Sequence, residues 1–199
     1  MSRRLALLAS LMVGLAGCGG VSPPTRFYAL APTAAAVPAA ERPLGLAVGP
    51  VLVAEYLRRP QIVTRLDETR LVLADFDQWV EAFDIMFPRV LAENLAAALG
   101  TERVSLTPVP RDMRVDHQVE VDVVRFDATQ GGDVVLDALW RVYGRDGDRL
   151  QQQSRSVITR PLPAAGEAGV AYPAIVVAMS EATAELARTI AEAVRGARR

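Results

Sequence analysis

Apolar and polar positions alternate along this chain with a period that changes several times, and each change marks an element. Leu5 to Val13 is a single apolar run, preceded by Arg3 and Arg4 and closed by the small residues Gly14 to Gly17. It falls short of the roughly 20 apolar residues of a membrane span and has the length of a secretory signal's apolar region. From Gly19 to Arg42 the pattern dissolves into Ala, Pro, Ser and Thr, with Pro23-Pro24, Pro32 and Pro38 set against regular structure. One island, Arg26 to Leu30, is apolar enough to pair as a first strand. Leu44 to Val53 is of strand type, with a bulge or an edge position expected at Gly49-Pro50 because proline cannot donate to a ladder. Ile62 to Arg65 and Arg70 to Leu73 flank a polar turn and predict a hairpin.

Two helices and a second block of strands follow. Phe83, Phe87, Leu91, Leu95 and Leu99 recur every four residues, which predicts a helix from Trp79 to Leu99 closed by Gly100, starting or kinking at Pro88. Val119, Val121 and Val123 alternate with polar residues, as do Val134, Leu136, Ala138, Trp140 and Val142 after the turn Thr129 to Gly132. Asp146-Gly147 is a hairpin signal, and Leu150 to Thr159 returns as a polar, exposed strand. A last helix spans Pro173 to Val194, with Ile175, Met179, Leu186, Ile190 and Val194 along one stripe. Strands in a row with two helices predict an α+β fold, a mostly antiparallel sheet with both helices packed on one face. The organisation expected is a signal peptide over 1–17, a flexible tether over 18–42 that begins with Cys18, and one folded domain over 43–199.

Composition narrows the chemistry. The formal net charge is −1, so there is no electrostatic footprint for nucleic acid. All 22 basic residues are arginines, which excludes a phosphate-loop lysine, a Schiff-base lysine and a lysine general base. With His117 the only histidine, a histidine-based triad and a two-histidine metal site are both excluded within one chain. His117 heads a strand and reads as a surface or edge residue. Asp77 and Glu81 stand four apart at the expected helix start, where a cap and a first-turn acid account for them better than an acid/base pair. Ser154 and Ser156 have no base nearby in sequence, and the acids from Asp112 to Asp122 do not match a calcium loop. No cofactor, metal or enzymatic activity is expected. The loop Glu55-Tyr56-Leu57-Arg58-Arg59, closed by Pro60, has the aromatic and basic composition enriched at interfaces, and is the candidate for partner contact.

Two resemblances add to this. Leu15-Ala16-Gly17-Cys18 resembles the lipobox of bacterial lipoproteins, which implies cleavage before Cys18 and acylation of its thiol and its new N-terminus. Cys18 is the only cysteine, so no internal disulfide competes for it. Several acyl chains on one residue give stable anchoring where a single chain does not. Gly19 and Gly20 follow, with no aspartate to resemble an inner-membrane retention signal, which favours the outer membrane over the inner. Further on, Val48-Gly49-Pro50-Val51, Glu55 to Val63, Phe76-Asp77-Gln78-Trp79-Val80-Glu81, Val90 to Leu95, Val121-Asp122-Val123 with Phe126-Asp127, and Leu136 to Trp140 together resemble the ABC-type transport auxiliary lipoproteins, the PqiC-like family. The family commonly has a proline before Glu55, where this chain has Val53-Ala54.

That resemblance implies a non-catalytic periplasmic lipoprotein, anchored in the outer membrane, that docks the MCE-domain protein of an ABC-type lipid transport system. Homo-oligomers are expected, because closed symmetry is how identical subunits bury a shared surface. A lipid-tethered periplasmic hydrolase, and an envelope assembly factor that moves no lipid, are the alternatives.

Overall fold

The computed structural model describes residues 23–129, 132–147, 149–163 and 172–197. The signal peptide and Cys18 lie outside the described residues, as do Gln130 and Gly131 of the predicted turn. The element order is β1 (Arg26–Tyr28), β2 (Leu46–Val53), a 3-10 turn (Glu55–Leu57), β3 (Gln61–Arg65), β4 (Leu71–Trp79), α1 (Phe83–Leu99), β5 (Val104–Leu106), β6 (His117–Thr129), β7 (Asp133–Tyr143), a 3-10 turn (Arg145–Gly147), β8 (Leu150–Pro161) and α2 (Tyr172–Gly196). The fold is α+β, as the pattern predicts, and the eight strands form one sheet.

The organiser of the sheet is β6, whose 13 residues are longer than either neighbour on one side. On that side β2 runs parallel to its first half, from Leu46 opposite His117 to Val53 opposite Val123. β3 then takes over at the far end, with Thr64 opposite Ala128. On the other side β7 pairs antiparallel along the whole strand, and β8 pairs antiparallel with β7. These long ladders make the sheet mostly antiparallel, while the short β1–β4 and β2–β5 pairings are parallel. The hairpin of β3 and β4 forms with Val63 opposite Leu73, and the expected irregularity at Gly49-Pro50 is present as a register shift between Val48 and Val51.

Alternation decides which face is covered. Val119, Val121, Val123 and Phe126 of β6, with Val134, Leu136, Ala138, Trp140 and Val142 of β7, point to one side and are almost fully buried. Both helices pack there: Phe83, Met86, Phe87, Leu91 and Leu95 from α1, Ile175, Met179, Leu186 and Ile190 from α2. Phe83 is the centre of an aromatic cluster, 5.3 Å from Trp79, 5.7 Å from Phe87 and edge-on to Phe126 at 5.9 Å. β8 is exposed along most of its length, as its polar sequence predicts.

Four expectations are corrected. The first helix begins at Phe83, not Trp79. Residues 79 and 80 instead continue the strand's pairing: Trp79 N–H donates to the Pro60 carbonyl at 2.7 Å and Val80 N–H to the Tyr28 carbonyl at 2.9 Å, which keeps the chain extended where the longer helix would begin. Asp77 therefore does not cap a helix; it sits in β4, 3% exposed, and accepts from Arg26 and Tyr28. Pro88 does not start α1 but lies inside it, in the second turn. His117 is buried rather than on the surface, its Nδ1 3.0 Å from Oε1 of Gln151.

The last part of the stretch expected as a free tether is laid down on the domain. Leu30 is buried in the core. Ala31 N–H donates to Ser180 Oγ, and the N–H groups of Thr33 and Ala34 both donate to Asn94 Oδ1, at 3.0 and 2.8 Å. Val37 and Ala40 then hydrogen-bond the carbonyls of Ala97 and Gly100 at the end of α1. Gly100 serves twice. It closes α1 at φ +65°, and a Cβ there would stand 2.4 Å from the Pro38 carbonyl oxygen.

Candidate partner interface

Because β2 and β3 lie end to end along the same side of β6, the chain has to step across the gap between them. Residues 54–60 make that step. Ala54 N–H closes the β2 side on the Val123 carbonyl, and the 3-10 turn is held by Leu57 N–H to Ala54 O and Arg58 N–H to Glu55 O. Opposite the gap β6 shifts register between Val123 and Arg125, and its Phe126 N–H has no strand to meet on this side. The Tyr56 hydroxyl fills the vacancy: it accepts from Phe126 N–H at 3.0 Å and donates to Asp127 Oδ2 at 2.7 Å.

Asp127 is fully buried and holds the site together. Besides Tyr56 it accepts from Arg65, Nη2 to Oδ2 at 2.9 Å, and from Arg125, Nε to Oδ1 at 2.9 Å. A buried carboxylate is tolerated only when charge and hydrogen bonds surround it, and two guanidiniums with one phenol do so here. Burial, reinforced by the neighbouring carboxylate, pushes the Tyr56 phenol well above its ordinary pKa, and the hydrogen bond to Asp127 raises Arg65.

The five residues of the predicted interface loop consequently divide. Leu57 is buried in the core and Tyr56 is committed to Asp127 and Phe126. Glu55, Arg58 and Arg59 are exposed. Arg58 lies 3.3 Å from Glu55 and 3.7 Å from Asp84 in the first turn of α1, which sets the turn beside the start of that helix. There the exposed apolar side chains are Val80 and Ile85, each 60% accessible, and on neighbouring β1 Phe27. Sequence reasoning overlooked these three. Val80 and Ile85 had a signal, since both fall off the stripe of Phe83, Phe87 and Leu91. Phe27 had none, because a three-residue strand shows no alternation to place it.

β1 itself is pinned by charge. Arg26 meets Asp77 in two parallel bonds of 2.8 and 2.7 Å, and Tyr28 donates to the same carboxylate at 2.7 Å. The other singled-out residues are structural: Glu81 pairs with Arg89, and Ser156 Oγ accepts from Trp140 Nε1 at 2.9 Å. Among the described residues no group of His, Asp or Glu is arranged to hold a metal ion.

The class defined so far is an α+β domain whose incoming N-terminal segment is clamped to the sheet and helices, with a basic and apolar surface beside the clamp. The family model of the ABC-type transport auxiliary lipoprotein component matches residues 28–191, and the chain belongs to that family. A solved structure from Xanthomonas campestris, of the family DUF330, superposes with a TM-score of 0.69 at 16% identity, covering 86% of this chain and 97% of that one. A second, titled only as an uncharacterized protein, has a TM-score of 0.62 at 20% identity over 86% of this chain and 99% of that one. At these identities the likeness establishes the shared fold. No curated protein sequence matches the chain.

Proposed function

We propose that this lipoprotein is the non-catalytic component of an MCE/ABC-type intermembrane lipid transport system, anchored through Cys18 in the outer membrane and docking the periplasmic MCE-domain protein. The reading rests on the family match over residues 28–191, preceded in the same chain by Leu15-Ala16-Gly17-Cys18. The transport energy belongs to the partner ATPase, since the chain carries no nucleotide-binding lysine. The docking surface is the exposed part of the predicted loop, Glu55, Arg58 and Arg59, widened by Val80 and Ile85. Exposed apolar side chains together with arginines have the composition enriched at interfaces. Several copies in a closed ring would present it repeatedly.

Co-purification tests the docking. Arg58→Glu with Arg59→Glu reverses two exposed charges without touching the core, so the melting temperature stays within about 1 °C while capture of the MCE protein is lost. A stable double variant that still captures it refutes this surface. Mass spectrometry of the mature N-terminus tests the anchor: an acylated residue 18 is expected, absent in Cys18→Ser. Light scattering of the full chain in detergent tests the ring, which a strict monomer contradicts.

A further inference from the structure

At the start of β6, the end away from β3 and β4, four arginines converge on one cleft. Arg42 comes from the segment before β2, Arg103 from the segment before β5, Arg114 from the loop into β6 and Arg145 from the turn after β7. They line a cavity of ≈ 620 Å³ together with Asp116, His117 and Gln151. Distant parts of the chain thus supply the same charge to one place, which a solvated run of arginines would not require.

The cleft is built on close backbone contacts. Gly45 N–H donates to Asp116 Oδ2 at 2.9 Å, and the Gly45 carbonyl accepts from Asp116 N–H at 2.8 Å. A Cβ at position 45 would lie 1.9 Å from the Arg114 carbonyl oxygen. That carbonyl accepts from Arg103 Nη2 at 3.2 Å, which aims the Arg103 guanidinium along the wall. Buried His117, held by Gln151, forms a polar part of the lining.

Among the described residues the charges of the lining do not balance: Asp116 is the one carboxylate there, 3.7 Å from Arg114 Nε and 3.8 Å from Arg145 Nη2, beyond hydrogen-bond length for both. Arg42, Arg114 and Arg145 make no side-chain hydrogen bond among the described residues. Several rigid N–H forks therefore face one concave space, in excess over the acids among the described residues of the lining. Guanidinium forks match the oxygens of phosphate, and the cavity is of the size that holds small ligands. An acidic peptide fits less well, because its charges are spread along an extended backbone at roughly 3.3 Å per residue, whereas these donors converge.

We infer that the four-arginine cleft is a binding site for a phosphate-bearing group, either a small phosphorylated solute or a phospholipid headgroup. The two sources share the recognition chemistry and differ in whether acyl chains contribute.

Calorimetry of the full-length chain in nonionic detergent at low salt tests this, with glycerol 3-phosphate, dihexanoylphosphatidate and hexaglutamate as probes. Saturable binding of a phosphate probe with one site per chain is expected, weakening as salt rises. Arg42→Gln with Arg145→Gln should weaken it about 100-fold, roughly ten-fold for each charged hydrogen-bonding group removed. Arg70→Gln with Arg89→Gln, an equal change of charge elsewhere, should leave it within about two-fold. Equal affinity for the first two probes identifies a solute site, and a clear gain from the acyl chains identifies a headgroup site. Failure of both phosphate probes to bind, equal losses in the two double variants, or tighter binding of hexaglutamate overturns the inference.

Discussion

Tyr56→Phe isolates the hydroxyl that bridges β2 and β3. The ring and its packing are kept, and only the oxygen is removed. With it go the acceptor for Phe126 N–H and a donor to the fully buried Asp127. A neutral hydrogen bond is worth about 1 kcal/mol net, one to a charged group about 1.5–3, and a buried donor left unpaired adds its own penalty. Arg65 and Arg125 still surround Asp127, which limits the loss on that side, so the sum is about 3 kcal/mol. For a domain of this size that lowers the melting temperature by roughly 6–12 °C. The pH dependence carries a second signature. Burial raises the folded phenol above its unfolded pKa. Its contribution is therefore complete below about pH 10 and lost as pH rises through the folded value. Wild type should lose stability above pH 10 more steeply than Tyr56→Phe, by thermal unfolding monitored below and above that pH. Arg58→Ala, two residues further on and exposed, should change stability by no more than about 0.5 kcal/mol. A melting temperature of Tyr56→Phe within 1 °C of wild type would refute the bridging role and return Tyr56 to the exposed docking surface.

The remaining predictions follow from single contacts. Asn94→Ala removes the acceptor of Thr33 and Ala34, so hydrogen exchange should accelerate over residues 31–37 while β6 and β7 stay protected; uniform protection across both regions counts against the clamp. Gly45→Ala drives a methyl into the Arg114 carbonyl, a backbone atom that cannot step aside, and should cost about 2 kcal/mol or more in urea unfolding. Arg155 donates to Asp137 at 2.7 Å and holds that carboxyl below its usual range. Its contribution is present above the unfolded value near pH 4 and lost as pH falls through the folded one, so Arg155→Ala should flatten the acid limb of stability against pH. An unchanged acid limb would mean the pair is too exposed to matter.

How much of this was legible in the sequence depends on whether a position reports on its own neighbours in the chain or on distant ones. The strands β6 and β7 were readable because burial on one face imposes a strict alternation, and Val119, Val121 and Val123 carry it without interruption. The stripe of α2 was readable for the same reason at a helical period. The start of α1 was not. Nothing near Trp79 in the chain says that its N–H belongs to Pro60 or that the carboxylate of Asp77 belongs to Arg26, a pairing across 51 positions. Local rules offered a helix cap, and a distant partner took the residue instead.

The clamped segment and the arginine cleft extend that argument to function. Asn94 is the only asparagine of the chain, and nothing in its own stretch of sequence says that its side chain holds Thr33 and Ala34, some sixty positions away. The four arginines of the cleft are spread from position 42 to position 145 and have no shared spacing, so no motif could have gathered them. What brings them together is topology. β2 and β5 run parallel to β6, so their starts fall at the same end as its own. β7, antiparallel, ends there too, delivering Arg145 from its turn. Parallel pairing therefore concentrates loop residues at one end of the sheet in a way that a purely antiparallel reading does not anticipate. The short parallel pairings, unremarkable for stability, are what place Arg42, Arg103 and Arg114 beside the turn of β7.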